Sequence, residues 1–338
     1  MHRAYGIDIG SCNFKMYSDE ENRFLSERNI IAMKKKSGIL DFGDEAFEIY
    51  EKSPENVILD FPVKGGVIAN INNMYMLFEK FYKKINSKKV YSSANFCIAV
   101  PTDITEVEKR AFFDLIAESA VKARSIYVVE KPVADGVGIG LDVKSSEANL
   151  IIDIGSETSE ISVISMGGIV VSKLLNCGGS NIDTAICNAV KSKLNLVIGM
   201  KSAELIKIKL ADAINSERKS VIVQGRNLLT GLPDEKEVTS DFVFSVIEDK
   251  LQNVFESAKI ILERTPPELF ANIKDNGLYI TGGSSQIKNL DIFASDYLGL
   301  NVNTCRKPAL TVIKGISKII SDKDLSDLMY IPREKMYL

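Results

Sequence analysis

Ala4-Tyr5-Gly6-Ile7-Asp8-Ile9-Gly10-Ser11 is echoed in the second half of the chain by Leu150-Ile151-Ile152-Asp153-Ile154-Gly155-Ser156. Each copy is an apolar run ending in Asp-Ile-Gly-Ser. Each is followed by alternating residues that read as a returning strand, Phe14 and Met16 in the first, Ile161, Val163 and Ile164 in the second. Both predict a hairpin with a tight glycine turn. The copies lie about one domain length apart, so the repetition predicts two related lobes, not a short-repeat solenoid.

The rest of the chain alternates between strands and helices. Phe96-Cys97-Ile98-Ala99-Val100 reads as a buried strand stopped by Pro101. Thr105 to Ala123 reads as a helix, with Thr105 near its cap and Glu108 three residues on. Ile126 to Val129 predicts a strand, followed by a helix from Pro132. Gly178-Gly179-Ser180 precedes a helix through Leu194, and 203–213 and 240–262 are helical by pattern. Leu278-Tyr279-Ile280-Thr281 is a strand ending in Gly282-Gly283. This alternation implies an α/β fold.

Bulk properties narrow the function classes. At 338 residues the chain is too long for one ordinary core and comfortable for two lobes. Its net charge is −3, and its basic residues are scattered, which argues against a dedicated nucleic-acid binder. The five cysteines (Cys12, Cys97, Cys177, Cys187 and Cys305) include no CxxC pair and read as reduced thiols of a cytoplasmic protein. His2 is the only histidine, so a buried catalytic histidine is excluded. There is no apolar run of about 18 residues to span a membrane. A strand entered by Tyr5 leaves no room for a signal peptide.

A triphosphate needs backbone N–H groups aimed at it and little side-chain bulk, which glycine turns and helix N-termini supply. Magnesium keeps several waters, so one or two aspartates suffice for it. Asp8 with Gly10-Ser11, and Asp153 with Gly155-Ser156, are placed to clamp one nucleotide from two sides, with Gly282-Gly283 giving close backbone approach to the adenosine. Singly, each Asp-x-Gly after a strand also reads as an ordinary turn; the duplication favours function.

Longer stretches carry a family resemblance. They are Gly6-Ile7-Asp8-Ile9-Gly10, Val63-Lys64-Gly65-Gly66-Val67-Ile68-Ala69, Glu106-Val107-Glu108-Lys109-Arg110, and the run from Val163 to Val170. Gly225-Arg226-Asn227-Leu228-Leu229-Thr230-Gly231-Leu232-Pro233, Thr265-Pro266-Pro267-Glu268-Leu269 and Ile280-Thr281-Gly282-Gly283 follow. In these the chain resembles the MreB branch of the actin superfamily over nearly its whole length. The resemblance implies an actin-like ATPase fold of two duplicated lobes, with four subdomains around an ATP cleft. It assigns subdomain IA to 1–30, 69–145 and 309–338, IB to 31–68, IIA to 146–182 and 238–308, and IIB to 183–237. Asp8, Gly10, Ser11, Cys12 and Asn13 would form the first phosphate loop; Asp153, Gly155, Ser156, Glu157 and Thr158 the second. Asp8 and Asp153 would face Mg2+. Gly178, Gly179, Glu204 and Lys207 would surround the nucleoside of ATP or ADP, with Gly282 and Gly283 closing the adenosine side. Lys15 reads either as the counterpart of a phosphate-contacting lysine of eukaryotic actin or as a solvated strand residue.

The chain departs from the family pattern at the catalytic positions. Val129-Glu130-Lys131-Pro132 stands where the family has Glu-Glu-Pro, so Lys131 replaces the glutamate that positions the attacking water. In the second loop Ser156 and Glu157 replace two glycines, beside the retained Thr158. The expected consequence is weak hydrolysis, with Lys131 and Glu157 compensating each other's charge. The alternatives are a fully active filament ATPase with rearranged catalytic residues and a non-polymerising kinase of the same superfamily.

The resemblance also implies head-to-tail self-assembly into paired protofilaments, other MreB paralogues as partners, and the inner face of the cell membrane as a location. The loop Lys88-Lys89-Val90-Tyr91-Ser92 and the tail from Leu325 to Leu338 are candidate membrane contacts, packing on the first lobe being the plainer use of the tail. Altered catalytic positions and the Lys/Ile/Asn-rich composition resemble a specialised paralogue of low-GC wall-less bacteria of the Spiroplasma type.

Overall fold

The computed structural model describes residues 3–34, 38–86 and 93–332. The chain divides into two compact units, Met1–Ser146 with Ile164–Leu174 and Leu310–Leu338, and Glu147–Val163 with Leu175–Ala309.

The chain begins with β1 (Ala4–Ile9), β2 (Asn13–Ser18), β3 (Arg23–Arg28), β4 (Ile31–Lys34), β5 (Gly38–Phe42), α1 (Gly43–Ile49), β6 (Val57–Asp60), β7 (Val63–Lys64) and β8 (Val67–Ile68). It continues through α2 (Ile71–Ile85), β9 (Ala94–Val100), α3 (Glu106–Ala117), β10 (Ala123–Glu130) and α4 (Lys131–Ile139). Next come β11 (Asn149–Ile154), β12 (Ser159–Ser165), β13 (Gly168–Leu175), α5 (Gly179–Leu194), β14 (Leu196–Val197), α6 (Met200–Leu210), β15 (Ser220–Asn227) and β16 (Pro233–Thr239). The last elements are α7 (Ser240–Arg264), α8 (Pro267–Asn276), β17 (Leu278–Thr281), α9 (Leu290–Leu298), β18 (Val302–Thr304) and α10 (Thr311–Ser321).

Two five-stranded sheets dominate, in the orders β10-β9-β1-β2-β3 and β18-β17-β11-β12-β13. Laid side by side they have one topology. β1 runs antiparallel to β2 and parallel to β9, and β11 runs parallel to β17. The parallel pairing continues outward, β9 with β10 and β17 with β18. The duplication expected from the two Asp-Ile-Gly-Ser runs is therefore a duplication of whole sheets.

In the first unit α2 lays Met74, Leu77, Phe78, Phe81 and Ile85, at helical spacing, onto the sheet. There Phe14 stacks on Phe81 at 4.7 Å and Tyr5 on Phe96 at 5.4 Å between ring centroids. A separate small apolar cluster of Ile30, Ala32 and Ala46, flanked by Phe47, Tyr50 and Phe61, sits under the sheet β5-β4-β6. In the second unit Phe255 of the long α7 packs on Phe293 of α9. The short sheet β14-β15-β16 is built beside it.

Two helix ends differ from expectation for local reasons. α3 has the capping box, with Thr105 Oγ1 accepting from Glu108 N and Thr105 N donating to Glu108 Oε2. It stops at Ala117, not Ala123, because Ser119 Oγ donates to the Ile116 carbonyl and Ala123 already belongs to β10. α6 runs Met200–Leu210, not Ala203–Ala213. Its exit is turned by Asp212, whose carboxylate accepts from the backbone N–H groups of Ile214 and Ser216.

Candidate functional site

The first turn joins β1 to β2 and is closed by Gly10 N donating to the Asn13 carbonyl at 3.0 Å. The second joins β11 to β12 and is closed in the same way, Gly155 N to the Thr158 carbonyl at 2.8 Å. Each leaves a short loop at the carboxyl end of a buried parallel strand: Gly10, Ser11, Cys12 and Asn13 in one, Gly155, Ser156, Glu157 and Thr158 in the other. All eight are half-buried, so their backbone is reachable.

What braces each turn is different. The first is held from the end of β3. The Asn29 side chain, wholly buried, donates through Nδ2 to the Gly10 carbonyl at 2.9 Å, and Asn29 N donates to the Cys12 carbonyl at 2.8 Å. The neighbouring Arg28 guanidinium reaches Cys12 Sγ and lies 4.2 Å over the Phe47 ring. Asn29 and Arg28 were not singled out from sequence. Only their position just beyond a strand that returns to the turn signals the role.

The second turn is held by a helix N-terminus and by the loop after β17. Gly179 N donates to the Gly155 carbonyl and Ser180 N to the Ser156 carbonyl, and Ser284 Oγ donates to the Gly155 carbonyl at 2.7 Å. Such close layering has no room for side chains. A Cβ on Gly178 would lie 2.6 Å from the Ser156 carbonyl oxygen. Gly282 has φ +84, and its Cβ would meet Asp153 Oδ1 at 2.2 Å. On α6, Lys207 Nζ donates to the Gly179 carbonyl at 3.0 Å and pairs with Asp183 at 2.8 Å, tying α6 to the first turn of α5. Glu204 is half-buried one turn earlier on α6, and exposed Gly283 directly follows Gly282. Gly155, Ser156, Gly178, Gly179, Lys207 and Gly282 thus come together in one unit.

Both aspartates are buried. Asp8 is buried and bonded at 2.8 Å by Lys15 Nζ, its cross-strand partner on β2. Burial pushes the Asp8 carboxyl up, but the charges of Lys15 and Lys131 and the Lys15 hydrogen bond outweigh it and hold the group below the usual carboxylate range. Lys15 is therefore a nearly buried ion-pair partner, and its reading as a solvated strand residue is corrected. Asp153 is also buried, at the end of β11 against Gly282.

Lys131 begins α4, its charge felt by Asp8; Glu157 stands in the turn of the other unit. Glu130, just before Lys131, is tied down: Lys109 Nζ and the Tyr330 hydroxyl both donate to its Oε1, at 3.2 and 2.8 Å. Its carboxylate is turned to α3 and the C-terminal segment.

Each unit by itself presents a glycine turn at the end of a buried strand with an aspartate beside it, and the second unit adds a lysine-pinned helix N-terminus; backbone N–H groups so placed can receive phosphate oxygens. Among the described residues no group of three or more His, Cys, Asp or Glu side chains could hold a metal ion unaided. None of the five cysteines is in a disulfide, and the Cys97 thiol is pushed up to about 12 by burial, leaving it inert.

The tail packs on the first unit through Leu328 and through a bridge between Tyr330 and Val128 of β10. Residues 333–338 and the loop 88–92 lie outside the described residues. Among the described residues no helix is long and apolar enough to cross a membrane.

Duplicated sheets, each carrying an aspartate-glycine turn, define an actin-like ATPase fold. The solved structure of MreB5 of Spiroplasma citri bound to AMPPNP superposes with a TM-score of 0.91 at 26% identity, covering 97% of this chain and 98% of that one. The MamK double helical filament gives 0.79 at 19% identity, covering 95% and 99%. The family model for MreB/Mbl protein matches residues 2–327, and the chain belongs to that family. It is 34% identical to the cell shape-determining protein Mbl of Bacillus subtilis, covering 95% of this chain and 97% of the relative. It is 30% identical to the cell shape-determining protein MreB of Escherichia coli, covering 94% and 93%.

Proposed function

We propose that this MreB-like actin homologue binds ATP and ADP with Mg2+ through its two aspartate-glycine turns, assembles into filaments inside the cell and contributes to cell shape. The observation that carries this reading is the identical closure of the turns, Gly10 to Asn13 and Gly155 to Thr158, on topologically equivalent sheets. Backbone N–H groups of both turns and of the α5 N-terminus would receive phosphate oxygens. Asp153 would face the cation. Gly178, Gly179, Glu204 and Lys207 would flank the nucleoside, with Gly282 and Gly283 on its far side. Bound magnesium supplies charge neutralisation on the phosphates.

Hydrolysis is proposed to be weak. Lys131 stands where the family has a carboxylate, and a charged ammonium cannot take a proton from water. Losing such a group typically costs about 10²–10⁴-fold in rate. Glu130 is held by Lys109 and Tyr330 and does not substitute. Self-association is supported by the solved filament of MamK, a structural relative. A head-to-tail contact that does not close gives an open polymer. The four-subdomain division, the membrane's inner face as location and other paralogues as partners belong to the same reading.

Pelleting with ATP, joined to a phosphate-release assay, tests this. Sedimentable polymer with slow phosphate release is expected. No polymer with any adenine nucleotide would remove the cytoskeletal reading, and release at the rate of an ordinary family member would remove the weak-hydrolysis part.

A further inference from the structure

Residues 27–30, at the end of β3, are held from two sides within the first unit. Toward the first turn, Asn29 donates to the carbonyls of Gly10 and Cys12, and the Arg28 guanidinium reaches Cys12 Sγ. The antiparallel register sets Arg28 across from Asn13, whose carbonyl closes that turn. Toward α1, Arg28 N donates to Asp44 Oδ1 at 3.0 Å, Asp44 N to Glu27 Oε2 at 3.2 Å, and Gly43 N to the Ile30 carbonyl at 2.9 Å. The approach is close, since a Cβ on Gly43 would lie 2.6 Å from Glu27 Oε2. Lys84 of α2 clamps Glu27 in turn, at 2.7 Å. The guanidinium that reaches Cys12 also lies 4.2 Å from the centre of the Phe47 ring on α1. One side chain thus touches both the turn and the helix.

We propose that Arg28 is a positioning residue that couples the first turn to α1, so that nucleotide held at the turn is felt in α1 and in the sheet β5-β4-β6 beside it. The inference rests on the proposed nucleotide-binding role of the turns and adds a means of regulating that site. Cys12 sits in the middle of the turn, its carbonyl fixed from behind by Asn29 N. A phosphate accepting from the N–H groups of the turn orders Cys12, and order there narrows the positions open to the guanidinium. Phe47 flanks the small apolar cluster of Ile30, Ala32 and Ala46, so its contact with the guanidinium carries that restriction into the packing of α1. A guanidinium suits the task because it is planar and always charged and stacks on aromatic faces. The coupling is reciprocal: anything that orders α1 tightens nucleotide binding at the turn by the same factor.

The test is amide hydrogen exchange of the full chain at residues 10–13 and 43–50, with and without saturating magnesium ATP. In the wild type ATP should slow both segments, 43–50 by about threefold to tenfold, the size of one cation–π contact. Arg28→Met should keep the slowing at 10–13, while 43–50 exchanges alike with and without ATP. Phe47→Leu removes only the ring, leaves the guanidinium beside the turn, and should uncouple 43–50 in the same way. It keeps the test decisive where Arg28→Met folds or binds ATP poorly. A merely structural role for Arg28 would leave the ATP-dependent change at 43–50 in place. Slowing at 43–50 as large in either variant as in the wild type overturns the inference. So does a wild type that is slowed at 10–13 but not at 43–50, and both results leave nucleotide binding intact. Absence of ATP binding by the wild type in an equilibrium titration removes the nucleotide-binding reading itself, and this inference with it.

Discussion

The turn after β1 and the turn after β11 share sequence, closure and place in their sheets, yet differ in everything that holds them. The first is braced by one wholly buried amide, Asn29, and neutralised by Lys15. The second is braced by the α5 N-terminus, by Ser284 and by the glycine contact at Gly282. Backbone geometry has been kept where a phosphate would meet the chain. The bracing, which acts from behind the turn, differs.

The largest expected effect comes from breaking the second brace. Gly282→Ala places a Cβ within 2.3 Å of the Ile154 carbonyl oxygen at a backbone conformation unfavourable to alanine. ATP affinity should fall by two orders of magnitude or more, on the order of 3 kcal/mol, in an equilibrium titration. At the first turn the matching approach is looser: a Cβ on Gly10 would lie 3.1 Å from the Asn13 carbonyl oxygen.

Next is the charge at the first turn. Lys15→Met strands a buried carboxylate and should lower unfolding stability by about 3 kcal/mol in a urea titration near neutral pH. The Asp8 carboxyl is held low in the folded state, so its stabilisation is full above the unfolded value of about 3.9 and is lost as pH falls through the lower folded value. Melting of the wild type should therefore show an acid-sensitive decrement below about pH 4 that Asp8→Asn/Lys15→Met lacks.

The smaller effects compare the two braces directly. Asn29→Ala removes the side-chain donor to the Gly10 carbonyl and should cost about 1–2 kcal/mol, loosening only the first turn. Ser284→Ala should cost less, about 0.5–1 kcal/mol, because Gly179 N still donates to the Gly155 carbonyl. Equal losses in thermal melts would erase the claimed asymmetry.

The parts legible in the sequence are those written in local pattern. The Asp-Ile-Gly-Ser echo announced both turns and, through them, the paired sheets. The Thr105-x-x-Glu108 box marked a helix start. What escaped depended on contacts between distant segments. Asn29 is an ordinary polar residue until β3 returns it beneath Gly10, and Lys15 leaves two readings open, phosphate contact or solvated strand residue, until the register sets it over buried Asp8. The ends of α3 and α6 were misplaced because single side chains, Ser119 and Asp212, compete with the helix for backbone groups.

Amide hydrogen exchange at residues 10–13 and 155–158, with and without saturating magnesium ATP, tests most directly whether these loops act as one nucleotide grip. Protection should rise in both loops together. Tight nucleotide binding that leaves either loop exchanging as in the free protein would contradict the account.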